Sequence, residues 1–282
     1  MIPGFLHKLY RILNETVFPP KCLVCRSFFQ PPARDASIVP SPAGNHPPGW
    51  PLPLQSQLDG LLSLYLCAAC VRGLVMVDSP ICVCCGLPFK SRQGGDHPCS
   101  DCIAAPKKFR IARAPLVYEQ ILTRVIHCFK YKGKIQLAAP LAELLRTAYR
   151  RFWDQDSIDI IIPVPLHLKR LRKRGFNQAY LLVRNWNTAA GQNWSGNSDL
   201  QIERDALVRT VFTAPQSALG RSERAVNIKN AFALHDPAKI KDKRILLIDD
   251  VYTTGATVDE CARILLKFGA EHVDVLTLAR AV

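Results

Sequence analysis

Asp249 and Asp250 stand side by side, and Thr253-Thr254-Gly255-Ala256-Thr257 follows them almost at once. The second stretch is small, hydroxyl-rich and placed to open a helix. Unpaired N–H groups and the helix dipole make such a terminus a phosphate site. Gly255 lets the backbone come close to a ligand, and three threonine hydroxyls add donors. Phosphate alone does not explain the carboxylates, which would repel it. They can accept hydrogen bonds from vicinal sugar hydroxyls, or meet a metal ion. Pair and loop together therefore suit a sugar phosphate. The plainer alternative is a threonine helix cap beside two surface acids.

The elements that must hold these residues are legible on either side. Arg244 to Ile248 (RILLI) is a short apolar run rich in β-formers, the pattern of a strand buried on both faces. Asp249 and Asp250 are expected to end it. Val258, Cys261, Ala262, Leu265, Leu266 and Phe268 fall on one face of a helix, which Gly269 closes. His272 to Leu278 reads as the next strand. Strand, loop, helix and strand in this order predict a parallel sheet. The stretch IDDVYTTGAT, Ile248 to Thr257, resembles the 5-phosphoribosyl-1-pyrophosphate (PRPP) motif of the type I phosphoribosyltransferases. That resemblance implies that Asp249 and Asp250 hold the ribose hydroxyls and act in catalysis. It implies that Thr253, Thr254, Gly255, Ala256 and Thr257 bind the 5′-phosphate.

Eight of the eleven cysteines form four Cys-x-x-Cys pairs in the first part of the chain: Cys22/Cys25, Cys67/Cys70, Cys82/Cys85 and Cys99/Cys102. One such turn presents two thiolates to a tetrahedral ion, and two turns complete its shell. Eight thiolates thus predict two structural zinc ions. Sequential pairing groups Cys22, Cys25, Cys67 and Cys70, then Cys82, Cys85, Cys99 and Cys102; interleaved pairing stays open. A disulfide framework lacks a secretion signal, and a redox motif lacks its βαβ context. Cys84 reads as a bystander, and Cys128 and Cys261 as core residues. His97 reads as a polar turn residue, and His46 falls in a proline-rich tract.

The 282 residues, 48% hydrophobic, allow a sizeable core, and a net charge of +14 points to anionic partners without choosing among phosphates, nucleic acid and a membrane surface. Residues 1–21 are expected to form an N-terminal helix, with Phe5, Leu6, Leu9, Ile12, Leu13 and Val17 at near-helical spacing. His7, Lys8, Arg11 and Glu15 interrupt any signal-peptide core. Leu58 to Leu66 is too short to span a membrane and holds Asp59. The expectation is a cytoplasmic protein with no transmembrane segment. A double zinc-ribbon region is expected over 22–106. Its proline-dense tract, within 30–57, is expected to be a disordered insertion; a longer loop costs little closure entropy.

Residues 107–282 carry the α/β pattern. Arg113 to Tyr118 reads as extended, and Leu122 to Phe129 and Ile135 to Arg151 as helices. Lys130-Tyr131-Lys132-Gly133 splits them, either as a solvated turn or as cations at the mouth of the site. Ile158 to Val164 reads as a buried strand, and KRLRKRGFNQA follows it closely. Lys169, Arg170, Arg172, Lys173 and Arg174 crowd one connection at a strand's C-terminal end, where open α/β sheets bind ligands. Arg172, Arg174, Asn177 and Gln178 are candidate substrate contacts; Asn177 also suits the N-cap of a helix from Gln178 to Trp186. Phe176 is expected to be exposed. A solvated face and a nucleic-acid patch are the alternatives for the basic run. Ala206 to Phe212 begins a strand. Thr210, Gln216, Arg221, Arg224 and Asn227 resemble the phosphoribosyltransferase loop that folds over pyrophosphate, which would make Arg221 and Arg224 substrate ligands; an ordinary basic loop is the alternative.

The order of these motifs (the paired Cys-x-x-Cys head, FKYKG, PVPLHLKRLRKRGFNQA, then the PRPP stretch) resembles the ComF family over nearly the whole chain. It departs mainly in the proline-rich insertion. The resemblance implies an α/β, type I phosphoribosyltransferase-like fold: a mainly parallel sheet with helices on both faces, plus the zinc ribbons. It implies PRPP bound with Mg²⁺, and phosphoribosyl transfer to an unknown acceptor. It also points to a non-enzymatic accessory of DNA uptake that binds single-stranded DNA and DNA-uptake proteins. A sensor of PRPP or a nucleotide is a third reading. Aromatic residues are sparse along the basic run, which weakens a base-stacking platform.

The cysteine count generates a direct prediction. Protein purified without chelator should carry two zinc ions per chain, and Cys25→Ser should retain one and lose stability, because structural zinc contributes folding energy. Elemental analysis that finds no zinc overturns it.

Overall fold

The computed structural model describes residues 19–31, 54–91, 93–154, 157–187, 200–212 and 228–282. Residues 1–18 of the expected N-terminal helix, 32–53 of the insertion, His46, Gln216, Arg221, Arg224 and Asn227 lie outside these residues.

Eight strands are formed among the described residues: β1 (Ala112–Arg113), β2 (Leu116–Val117), β3 (Ile160–Pro163), β4 (Gln201–Ile202), β5 (Leu207–Arg209), β6 (Phe232–Leu234), β7 (Arg244–Tyr252) and β8 (His272–Arg280). The main sheet runs β1-β8-β7-β3-β4, with β2 also paired to β8. Every pair in it is parallel. β5 and β6 form a separate antiparallel pair. The helices are α1 (Leu54–Leu62), α2 (Ala68–Arg72), α3 (Ser100–Ala104), α4 (Gln120–Tyr131), α5 (Ala138–Phe152), α6 (Leu168–Arg174), α7 (Gln178–Leu181) and α8 (Ala256–Lys267). None of the described helices is long and apolar enough to cross a membrane.

The two-residue period of a strand splits the core in two. Ile161, Leu246, Ile248, Leu276 and Leu278 face one layer, with α4, α5 and α7 packed on them. Ile160, Ile162, Ile245, Leu247, Val273 and Val275 face the other, covered by α8. Burial on both faces explains why these strands read as unbroken apolar runs. Each cysteine group extends one layer. Cys22 and Cys70 join the first layer with Leu58, Leu62 and Leu66 of α1 and its exit. Cys82, Cys85, Cys99 and Cys102 join the second, beside Phe109, Tyr252 and Val258.

Several local expectations change. β7 does not stop at Asp249: its pairing with β8 continues to Tyr252 opposite Arg280, so both acids lie inside the strand. KRLRKR, read only as a basic connection, forms a short helix, α6. The His167 ring accepts the Lys169 N–H to start it, and Gly175, at φ 83°, ends it. α4 continues through Lys130 and Tyr131. α7 is helical only to Leu181, and turns follow. The last residues assigned to the insertion, 54–57, already belong to α1, because Leu58 and Leu62 anchor that helix in the core. Phe176 is half-buried, its ring 5.7 Å from that of Phe129.

One buried acid pins the sheet to the first layer. Asp274 on β8 is 0% exposed. It accepts from Arg110 Nε at 3.0 Å and from Trp153 Nε1 at 2.6 Å. Asp274→Ala would strand the buried indole donor and release Arg110, at a cost of about 1–3 kcal/mol. Urea unfolding should show that loss of stability, and an unchanged midpoint would mean the contacts are replaced by water.

Candidate functional site

A cleft of about 1120 Å³ opens where β3 and β7 end. Its walls are Lys130 and Tyr131 of α4, the turn after β3, the basic helix α6, Arg209 and Phe212 of the β5 segment, and residues 249–253 and 255–258. This is the crevice at the carboxyl ends of strands where open α/β sheets take ligands.

Strand alternation turns the two acids to opposite sides of β7. Asp250, 3% exposed, meets Lys130: Nζ lies 2.7 Å from Oδ1. Its Oδ2 is buried and has no hydrogen-bond partner among the described residues. Asp249 is half-buried, and its Oδ1 accepts the Asp250 N–H at 2.8 Å. Burial, and then the neighbouring Asp250 charge, raise the Asp249 pKa to about 7, against the pull of Lys130 and Arg209. Arg209 is itself buried, which with the nearby Arg170 charge lowers its pKa to about 10.

The loop after β7 has a firm floor. Gly255 sits at φ 80°, and a Cβ there would overlap the Tyr252 ring, so glycine is required twice over. Thr253, Gly255, Ala256 and Thr257 line the cleft. The Thr254 hydroxyl turns back to accept the Ala256 N–H at 3.4 Å. α8 therefore starts against the cleft, with the positive end of its dipole there.

The basic helix divides its residues. Lys169, Arg170, Lys173 and Arg174 line the cleft, while Arg172 is exposed and off the lining. Arg174 donates to Gln178 Oε1 and lies 4.9 Å from the Tyr131 ring. Gln178 is buried and lines the cleft. Asn177 does structural work: its Oδ1 caps α7 by accepting the Ala179 N–H at 3.0 Å, and its Nδ2 donates to the Val164 carbonyl at 3.1 Å. Sequence reasoning left Lys130 open and did not single out Arg209, Tyr131 or Phe212 as site residues. Two signals were there. Lys130 continues the buried helical face of Ile126, four residues earlier, and Arg209 shares the buried side of β5 with Leu207.

The cysteines form two groups, Cys22/Cys25/Cys67/Cys70 and Cys82/Cys85/Cys99/Cys102, with the four sulfurs of each within 4.8 Å of one another. Pairing is sequential, not interleaved. Cys25 and Cys67 Sγ lie 3.6 Å apart, and Cys85 and Cys99 Sγ 3.7 Å. A tetrahedral zinc at about 2.3 Å from each sulfur requires edges of about 3.8 Å, so both groups fit a zinc ion. All eleven cysteines are free of disulfides. Cys84 lies outside both groups, and Cys128 and Cys261 are buried. His97 also lies outside them, stacked on Phe89 at 4.0 Å.

A parallel sheet with paired acids and a glycine-bent loop at one strand end defines a phosphoribosyltransferase-type domain. Residues 199–281 match the family described as the phosphoribosyl transferase domain. Over 218 residues the chain is 34% identical to DNA utilization protein YhgH of Escherichia coli O157:H7, covering 76% of this chain and 90% of that protein. Over 220 residues it is 31% identical to Competence protein F of Haemophilus influenzae, covering 77% and 90%. Over 224 residues it is 27% identical to Competence protein ComFC of Bacillus subtilis, covering 77% and 84%. The chain belongs to the ComF family.

Asp249 yields a pH prediction. Its folded pKa lies above the ordinary 3.8, so the folded state holds the proton more tightly than the unfolded chain. The resulting destabilisation is absent below about pH 4, grows as pH rises, and is complete above about pH 7. Asp249→Asn should therefore stabilise the fold at about pH 8 and change little at about pH 4. Thermal unfolding at both pH values checks this; an equal gain at both would assign the effect to packing.

Proposed function

We propose that the cleft binds PRPP and transfers its phosphoribosyl group to an acceptor. The observation that carries this reading is the buried, unpartnered Oδ2 of Asp250 beside a phosphate-type loop. Lys130 holds Oδ1, which leaves Oδ2 to accept a ribose hydroxyl. Asp249 offers a second carboxylate, and residues 253–257 take the 5′-phosphate through N–H and hydroxyl donors. Lys169, Arg170, Lys173, Arg174 and Arg209 concentrate positive charge for the pyrophosphate, with Mg²⁺ entering as part of the substrate. The acceptor's electron pair forms a bond to ribose C1 as the C1–O bond to pyrophosphate breaks. Positive charge developing on the ring is met by the acid pair, and negative charge on the leaving group by the cations. Two zinc ions, one per cysteine group, serve folding rather than this chemistry. The protein acts in the cytoplasm on this reading.

A second reading, single-stranded DNA binding in DNA uptake, has its own support. Phe212 is 48% exposed, with His167, Lys169 and Arg170 packed around its ring at 5.2, 5.2 and 5.9 Å. Tyr131, 64% exposed, lies under Arg174. Aromatic faces set among cations make a stacking surface that the linear order of the basic run hides. The names of the relatives refer to DNA utilization and competence. A PRPP sensor would use the same cleft without turnover.

Calorimetry with PRPP and Mg²⁺ tests the first reading. Asp249→Asn combined with Asp250→Asn should weaken PRPP by about tenfold or more, since a charge-assisted hydrogen bond contributes roughly 1.5–3 kcal/mol. Inorganic phosphate should be far less affected. Equal PRPP affinities would show that the acids do not hold the sugar. Pyrophosphate release with a panel of acceptors then separates transferase from sensor.

A further inference from the structure

The last strand ends in a buried arginine that touches both the phosphate loop and the second cysteine group. Arg280 is 6% exposed. Its Nε donates to the Cys85 carbonyl at 3.0 Å, and its Nη2 reaches Cys85 Sγ at 3.5 Å. Nη1 donates to the Thr253 carbonyl at 3.0 Å and also to the Ala281 carbonyl. The guanidinium lies 4.3 Å from the centre of the Tyr252 ring, the same ring that fills the space beside Gly255.

These contacts act on the loop's geometry. A peptide unit is planar and trans, so its C=O and N–H point in opposite directions. Holding the Thr253 carbonyl therefore fixes the direction of the Thr254 N–H, away from Arg280. The Tyr252 ring sets the bend at Gly255. On the other side, the same guanidinium donates to both the carbonyl and the Sγ of Cys85, so it ties the loop to the Cys82–Cys85 turn. Only a planar fork with several donors can make these contacts together; lysine, a single point of charge, cannot.

We infer that Arg280 is a positioning residue that couples metal occupancy of the Cys82/Cys85/Cys99/Cys102 group to ribose-phosphate binding on the 253–257 loop. The inference rests on the phosphate-loop reading above. A metal ion holds the Cys85 turn, the turn holds Arg280, and Arg280 holds Thr253 and Tyr252. Linkage makes the effect reciprocal: ligand on the loop must tighten metal binding by the same factor. The first cysteine group packs in the opposite layer of the sheet, so it serves as an internal control.

Zinc-loaded wild-type protein, titrated at equilibrium against a competing chelator with and without saturating ribose 5-phosphate, tests the coupling. Ribose 5-phosphate should tighten one of the two zinc equivalents by about fivefold or more and leave the other unchanged. Arg280→Lys should keep two zinc ions, bind ribose 5-phosphate about fivefold or more weakly, and lose the coupling. Coupling that persists in Arg280→Lys overturns the role of Arg280. If that variant does not fold, the wild-type titration decides alone: ribose 5-phosphate bound with both zinc affinities unchanged overturns the inference and leaves the phosphate-loop reading standing. No ribose 5-phosphate binding by calorimetry overturns both.

Discussion

Everything at the site depends on β7 remaining a strand beyond the point where β3 leaves it. β3 pairs with β7 only as far as Ile248, and β8 alone carries the ladder on to Tyr252. The acids lie in that extension. As strand residues they must point to opposite sides, Asp250 toward Lys130 of α4 and Asp249 toward the side of Arg209. A slip of one residue in the β7–β8 register would exchange those sides and bury each acid against the wrong partner. The pairing that builds the sheet thus also assigns each carboxylate its surroundings.

Adjacent carboxylates, one half-buried and one buried, repel each other and lose hydration, a cost that folding must offset. The offset here is asymmetric. Asp250 has a direct ion pair, whereas Asp249 has a backbone N–H and more distant cations, and its pKa rises accordingly. That asymmetry leaves two unlike acceptors a residue apart. The excess positive charge of the chain is placed to match: four of the five cations in the α6 run line the same cleft. A strongly basic protein can in this way keep a pair of acids in its cleft.

The cysteine groups are set into the two layers of the core rather than standing apart from the sheet. The second group lies beside Tyr252 and Arg280, so its geometry reaches the loop through rigid, buried side chains. The first group meets α1 and α4 on the opposite layer, where Cys128 Sγ donates to the Leu23 carbonyl at 3.6 Å.

By itself the sequence determined the local features, because they rest on local physics. The apolar runs at 244–248 and 272–278 read as buried strands, the period from Val258 to Leu266 as a helix face, and the Cys-x-x-Cys turns as paired ligands; Phe268, expected on that face, instead falls past the end of the helix and is 39% exposed. The acids and the Thr-Thr-Gly-Ala-Thr loop were likewise visible as a unit. Tertiary structure alone decided how distant pieces meet. Sequential and interleaved cysteine pairing have the same spacing, and only the packing of each turn into a different layer separates them. Lys130 became the partner of Asp250 because α4 crosses the end of β7, a contact 120 residues apart in the chain that no periodicity encodes. The aromatic rings missing from the basic run come from α4 and from the end of β5. Arg280, an unremarked residue near the end of a strand, reached both cysteine turn and loop because β8 carries it between them. Pattern reports which face a residue takes; what waits on that face is set by the fold.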